Sequence, residues 1–346
     1  MAKKRRATMK DIAAELGISI NAVSLALNNK LGVSQAMRER VFQTAEALGY
    51  FENKPRYKQA VRQRTLCLIM RRMYFSSSSF YSQVILGVQE EAALQGYSVL
   101  IEILDDDDRA DVPESITERL VSAVMILGAV SNDYLSRIEA TGVDLILLDH
   151  CPAGFRIDSI MTANEDGSFR LTQYLLKQGY QRFGFFGDLD YSNSIRERFA
   201  GLTRALYLSQ ERRSLLDIHT EVERYSLLQN LESLVVDGDV AGVWEQVAKL
   251  PSLPDVFVCS NDDAAALLLR ALAQHQIVVP LDVAVCGFDN SVIAEQVRPQ
   301  LTTMNVHKKV MGREAVRRLI WRIHNPDALV TRTSIQTELI VRESTR

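Results

Sequence analysis

Within the first fifty residues, apolar side chains recur at helical spacing in three short bursts, each bounded by a turn-forming or capping residue. Met9, Ile12, Ala13 and Leu16 make the first stripe, and Gly17 stops it. Ser19 is placed to cap the next helix through its side-chain oxygen, with Val23, Ala26 and Leu27 on the inner face. Beyond Asn28, Asn29 and Lys30, Ser34 caps a third helix, whose Met37, Val41, Ala45 and Leu48 close a miniature core before Gly49 ends it. A glycine-containing turn of about three residues between two such helices is the helix-turn-helix pattern, whose second helix enters a DNA major groove. The spacing predicts that this helix begins near Ile20.

From Thr65 onward the pattern changes. Apolar runs such as LCLIM, YSVLIEIL, SAVMILG and DLILLD alternate with helical stripes, the signature of a parallel α/β sheet. The rhythm restarts after ANEDG with RFGFFGD, DVFVCSN and DVAVCGFDN, which predicts two similar lobes. No short-period repeat is present, which excludes a solenoid.

The segments MKDIAAELGIS, NAVSLALNN, VSQAMRERV and AEALGY make the head similar to the N-terminal domain of the lactose-repressor (LacI/GalR) family of bacterial transcription regulators. ANEDG, RERFAGLTRAL, VCSNDDAAALLLRAL, VPLDVAVCGFDN, PQLTTMNV and TELIVREST extend the resemblance over nearly the whole chain. It implies a helix-turn-helix head over residues 1–50, a hinge over 51–64 and a two-lobed periplasmic-binding-protein-like core over 65–346. Lobe 1 is expected at about 65–162 and 293–325, and lobe 2 at about 163–290 and 326–346. The implied activity is transcription regulation, repression above all, by a cytoplasmic homodimer whose affinity for double-stranded operator DNA responds to a small-molecule effector. With no heptad of leucines after TELIVRESTR, a tetramer is not expected.

Charge distribution fits that picture. Residues 1–64 hold 13 Lys and Arg against 5 Asp and Glu, while the rest hold 27 against 38. A basic head is the footprint of phosphate contact, and an acidic body disfavours wrapping of DNA around it. No apolar run is long enough to cross a membrane, and no apolar segment follows the charged N-terminus, so neither a span, a membrane partner nor a secretory signal is expected. Cys67, Cys151, Cys259 and Cys286 are far apart and read as reduced, buried small hydrophobes. No metal spacing, P-loop, HExxH or GxSxG occurs, so no catalytic residue, cofactor or metal is assigned. The Asp105–Asp108 run reads as a solvated turn. A transport-type binding module is the rival reading, and the basic head argues against it.

Two sets of site residues follow. In the head, Ile20, Asn21 and Ala22 are expected at base edges and Ser19 and Ser24 nearer phosphates, with Thr8, Leu25 and Asn28 completing the contacts. Asn21 is the expected specific reader, because an asparagine amide pairs bidentately with adenine. The family commonly has arginine where this chain has Leu25, so a guanine contact is expected to be missing. In the hinge, Asn53 fits the helix cap, Arg56 and Tyr57 replace small family residues, and Gln59 stands where the family wedges a leucine into the minor groove. In the core, ligands of open parallel sheets sit beyond the carboxyl ends of the strands. That places Asp149, Asn261 and Asp289 at a cleft, with Arg198 opening a helix nearby. The resemblance maps Arg198, Asn261 and Asp289 onto effector contacts and adds the aromatic pair Phe80 and Tyr81. Arg71, Arg72 and Ser76 follow the first strand in a loop that departs from the family pattern. The arginine pair suggests a sugar derivative that is anionic.

Overall fold

The computed structural model describes residues 7–27, 32–50, 64–77, 79–105, 111–209 and 214–346. They fall into two compact units, one of Met1–Thr65 with Glu114–Ser122, the other of Leu66–Pro113 with Ala123–Arg346.

The first unit holds α1 (Met9–Leu16), α2 (Ile20–Leu27) and α3 (Gln35–Ala47). The Asp11 carboxylate accepts from both the backbone N–H and the hydroxyl of Thr8, each at 2.7 Å, and pins the start of α1. Gly17, at φ 64°, ends it in the left-handed conformation that glycine adopts without a Cβ clash. Ser19 Oγ accepts from Ala22 N at 3.1 Å and caps α2, and Ser34 Oγ caps α3 through Met37 N at 3.3 Å. Ile12, Ala13, Val23, Ala26, Leu27, Val41 and Ala45 form the expected core. Two positions differ from the expected stripe. α3 ends at Ala47, so Leu48 turns outward to 38% exposure, and Tyr50 fills the core from the turn instead.

The second unit runs β1 (Thr65–Arg71), α4 (Arg72–Ser77), α5 (Ser79–Leu94) and β2 (Ser98–Leu104). After α6 (Glu114–Thr117), which belongs to the first unit, come β3 (Ala123–Leu127), α7 (Asn132–Ala140), β4 (Asp144–Leu148), β5 (Asp158–Thr162) and α8 (Asn164–Lys177). Next come β6 (Phe183–Phe186), α9 (Asn193–Ser209), α10 (Leu215–Arg224), α11 (Glu232–Asp237) and α12 (Val240–Val247). The chain continues through β7 (Val256–Cys259), α13 (Asp262–Gln274), β8 (Ala284–Cys286), α14 (Val292–Gln296), β9 (Thr303–Asn305), α15 (Lys308–His324), β10 (Arg332–Ile335) and β11 (Glu338–Ile340).

Lobe 1 is a six-stranded sheet in the order β10-β5-β4-β3-β1-β2, and lobe 2 a three-stranded sheet in the order β6-β7-β8. β3 pairs in parallel with β1 and β4, β5 with β4 and β10, and β7 with β6 and β8. β3 and β5 are buried along their whole length, as strands covered on both faces must be.

The boundary between lobes differs from the expected division. β10 pairs with β5 in lobe 1, whereas the tail reaches lobe 2, where Ser344 Oγ donates to Val285 O at 2.6 Å. Residues 293–302 stay with lobe 2 as well, since Leu301 and Ala294 share the core of α13 and β8. α15 then returns the chain to lobe 1 against α5. Their approach is close enough that a Cβ on Gly87 would lie 2.2 Å from Lys309 O, and one on Gly312 2.2 Å from Val84 O. Cys67, Cys259 and Cys286 are buried and reduced as expected; Cys151 is half-buried and lines the interlobe cleft. No helix among the described residues is long and apolar enough to cross a membrane.

Candidate functional site

Capping of α2 by Ser19 fixes which residues face outward. Ile20 is 44% exposed, Asn21 is exposed and Ala22 and Ser24 are half-buried, while Val23, Ala26 and Leu27 are committed to the core. The outward face therefore presents the short N-terminal residues that a groove-entering helix uses. Leu25 is half-buried and reaches toward the Gly32 turn. Asn28, Asn53, Arg56, Tyr57 and Gln59 lie outside the described residues, and of Ser76 only the backbone, within α4, is described.

Between the two lobes of the core lies a cleft of about 680 Å³. Its centre is the guanidinium of Arg198, buried on α9. Nε donates to Asn164 Oδ1 at 2.9 Å, Nη1 to Ser260 O, and Nη2 to Asp289 Oδ1 at 3.2 Å, while the plane lies 3.9 Å over the Phe288 ring. A planar fork with several donors satisfies that set and an ammonium would not. The contact with Asn164 depends on how closely α9 meets α8. A Cβ on Gly201 would lie 2.2 Å from Glu165 O, so only glycine allows the helices this near.

Asp149 follows β4 in the left-handed region, at φ 58°, and its N–H donates to Ile160 O. Burial pushes its carboxyl up to about 7; Arg198 opposes the rise, Asp289 and Glu197 add to it, and the Tyr81 hydroxyl bonds it. Asp289 sits at φ 110°, carries the ion pair with Arg198, and accepts a bond from Lys308 Nζ on its carbonyl. Burial raises Asp289 and lowers Lys308. Asn261 Oδ1 caps α13 through Ala264 N at 2.8 Å, while its amide nitrogen makes no hydrogen bond among the described residues. One side chain thus serves as both cap and cleft donor.

Asp149, Arg198, Asn261, Asp289, Phe80 and Tyr81 are brought together here. Phe80 is the most covered of the aromatic group, with Tyr81 5.1 Å away edge-on and Tyr74 a further 4.9 Å on. Arg71 and Arg72 are not part of the lining. Arg72 bonds Asp105 Oδ1 through Nε and Nη2 at 2.9 and 2.8 Å on the surface, and Arg71 closes β1 half-buried. The expectation of an anionic effector therefore loses Arg72, which the turn into α4 carries to Asp105 at the surface.

Several lining residues were not marked by the sequence. Tyr74, His150 and Tyr191 come from a short helix and loops whose course no periodicity reveals, and Asn193 is the first residue of α9. Asp263 and Arg270 could have been found, because seven residues apart they share one face of the helix that Asn261 caps. Glu232 lines the same end of the cleft, and burial with nearby Asp188 and Asp263 pushes it up to about 7. Among the described residues no cluster of His, Cys, Asp and Glu could hold a metal ion.

A groove-reading three-helix head and a two-lobed α/β core folded around a polar cleft together define a ligand-responsive DNA-binding protein. The family description "Bacterial regulatory proteins, lacI family" matches residues 8–53, and "Periplasmic binding protein-like domain" matches residues 172–345, half of the chain. The chain is 27% identical over 345 residues to the HTH-type transcriptional repressor PurR of Vibrio parahaemolyticus, covering 98% of this chain and 99% of that one. The solved complex of the transcriptional regulator CelR with cellobiose is 26% identical, with a TM-score of 0.66 over 98% of this chain and 100% of that one. The lac repressor dimer bound to operator shares the fold at 22% identity, with a TM-score of 0.65 over 99% of each chain. The chain belongs to the lacI family of bacterial regulatory proteins and is a DNA-binding transcription regulator.

Proposed function

We propose that this protein is a cytoplasmic repressor that binds a two-fold symmetric operator as a homodimer and changes its affinity when a neutral, polyhydroxylated effector enters the cleft. The observation that carries the effector class is the state of Arg198. Three of its N–H donors already bind Asn164, Ser260 and Asp289 and its charge is paired with Asp289, so the centre of the cleft offers carboxylates, amides and aromatic faces rather than an unpaired cation. Such a mixture suits hydroxyl groups, which donate and accept, above a ring face that stacks on Tyr81. A repressor named PurR and a regulator solved with cellobiose among the relatives support repression and a saccharide ligand. Turnover is not part of the proposal, because the relatives are named as transcription regulators.

Closure of the lobes around the effector shifts the operator-binding equilibrium only by the ligand's difference in affinity for the two states. The reading is tested by a thermal-shift screen of sugars, followed by gel shift on DNA upstream of the gene with and without each hit. A sugar that raises the melting temperature and changes operator affinity supports it. Sugar-independent operator binding across the screen refutes the effector assignment.

A further inference from the structure

Beyond the Arg198 centre, the cleft continues along α11 and α13. On α13, Asp263, Leu267 and Arg270 are spaced by four and three residues, so they share one face, and on α11 Glu232, Val235 and Val236 do the same. All six line the cleft. The seven-residue step from Asp263 to Arg270 extends it by about 10 Å along α13. The extension is continuous with the centre, since Asp263 senses the charge of Asp289 and Glu232 that of Asp263.

Glu232, Asp263 and Arg270 make no hydrogen bond or ion pair among the described residues, in contrast to Arg198 and Asp289. Asp263 and Arg270 are exposed and Glu232 is half-buried along this wall, so their donors and acceptors are free to meet a ligand without first breaking a bond within the protein. Their company decides the ligand's chemistry. An anion would meet two carboxylates, a hydrocarbon would leave all three charges unpaired, and an amine would face the guanidinium. A second hydroxylated ring suits all of them: its hydroxyls donate to Glu232 and Asp263 and accept from Arg270, and its C–H face rests on Val235, Val236 and Leu267.

We propose that the effector is a disaccharide or longer glycan, with one ring at Arg198, Asn261 and Asp289 and a second ring held between α11 and α13. This rests on the saccharide reading given above. The test is calorimetric titration of cellobiose, maltose and lactose against glucose and galactose, on the wild type and on Arg270→Ala, Asp263→Asn and Asn261→Ala. At least one disaccharide is expected to bind about tenfold or more tighter than its component monosaccharides. Arg270→Ala and Asp263→Asn should each weaken that disaccharide by about tenfold, the worth of a hydrogen bond to a charged group, and leave monosaccharide binding unchanged. Asn261→Ala should weaken both. Arg270 is exposed on an alanine-rich helix, so its loss leaves the fold intact, which operator binding by the variant confirms. Equal affinity for mono- and disaccharides, or disaccharide binding untouched by both outer variants, overturns the second-ring site alone. Failure of every sugar to bind a protein that still binds operator overturns the saccharide reading and this inference with it.

Discussion

Arg198 shows how much of the cleft hangs on one side chain. Removing it would leave Asp289 and Asp149 buried without their cation and strip Asn164 and the Ser260 carbonyl of a donor. Breaking a buried pair in this way costs about 3 to 5 kcal/mol. Urea unfolding of Arg198→Met should show a loss of that size, with Arg198→Lys intermediate because charge returns without the fork; an unchanged midpoint would contradict the geometry. The raised carboxyls make a second prediction. Asp149 and Glu232 titrate near 7 in the folded chain but near their ordinary values when unfolded. Below about 7 the folded state holds protons that the unfolded state has released, so each group adds stability as pH falls from 8 toward 6. Asp149→Asn and Glu232→Gln should each flatten this gain in thermal melts of the ligand-free protein. His150, lowered by burial, works in the opposite sense below its ordinary 6.5 and limits the gain on the acid side.

At the scale of elements, the close contact of α8 and α9 is what places the guanidinium. Gly201→Ala puts a methyl 2.2 Å from Glu165 O and 2.9 Å from Ser168 Cβ, so the helices must part. Overpacking of this kind costs about 1 to 3 kcal/mol. The variant should melt lower and, because Arg198 is drawn away from Asn164, bind effector more weakly; a lower melting point with unchanged ligand affinity would show that α9 shifts without disturbing the site. Elements with strong periodicity were legible beforehand. Gly17, Ser19 and Ser34 marked the helix ends because capping is local chemistry, and the buried strands announced themselves as apolar runs. What stayed hidden was non-local. β10, whose exposed and half-buried positions alternate, gives no sign that its partner is β5 rather than a strand of lobe 2. Arg72 read as a cleft residue because a strand's end was visible while the turn into α4 was not. Asp149, Asn261 and Asp289 were found by their place after strands, whereas Glu232 sits on a helix whose approach to α13 only tertiary packing creates.

At the scale of the molecule, the separation of a basic segment from an acidic body divides affinity from specificity. The 13 Lys and Arg of residues 1–64 supply counterion release, so affinity should fall with salt at a slope of about −0.9 per phosphate contacted. We propose base reading at the exposed start of α2, where Asn21 carries an amide able to pair two edges of adenine. These contributions should separate by mutation. If Arg56, in the segment expected to form the hinge, holds a phosphate, Arg56→Gln should weaken every DNA sequence alike and reduce the salt slope by about one. Asn21→Ala should leave the slope unchanged yet lose about 1 to 3 kcal/mol of discrimination at one base pair in each half-site. Binding selection from random DNA, followed by salt titration on the selected operator, measures both. If Asn21→Ala selects the wild-type sequence, readout lies instead with Ile20 and Ala22, whose apolar contact with a thymine methyl is the remaining means on that face.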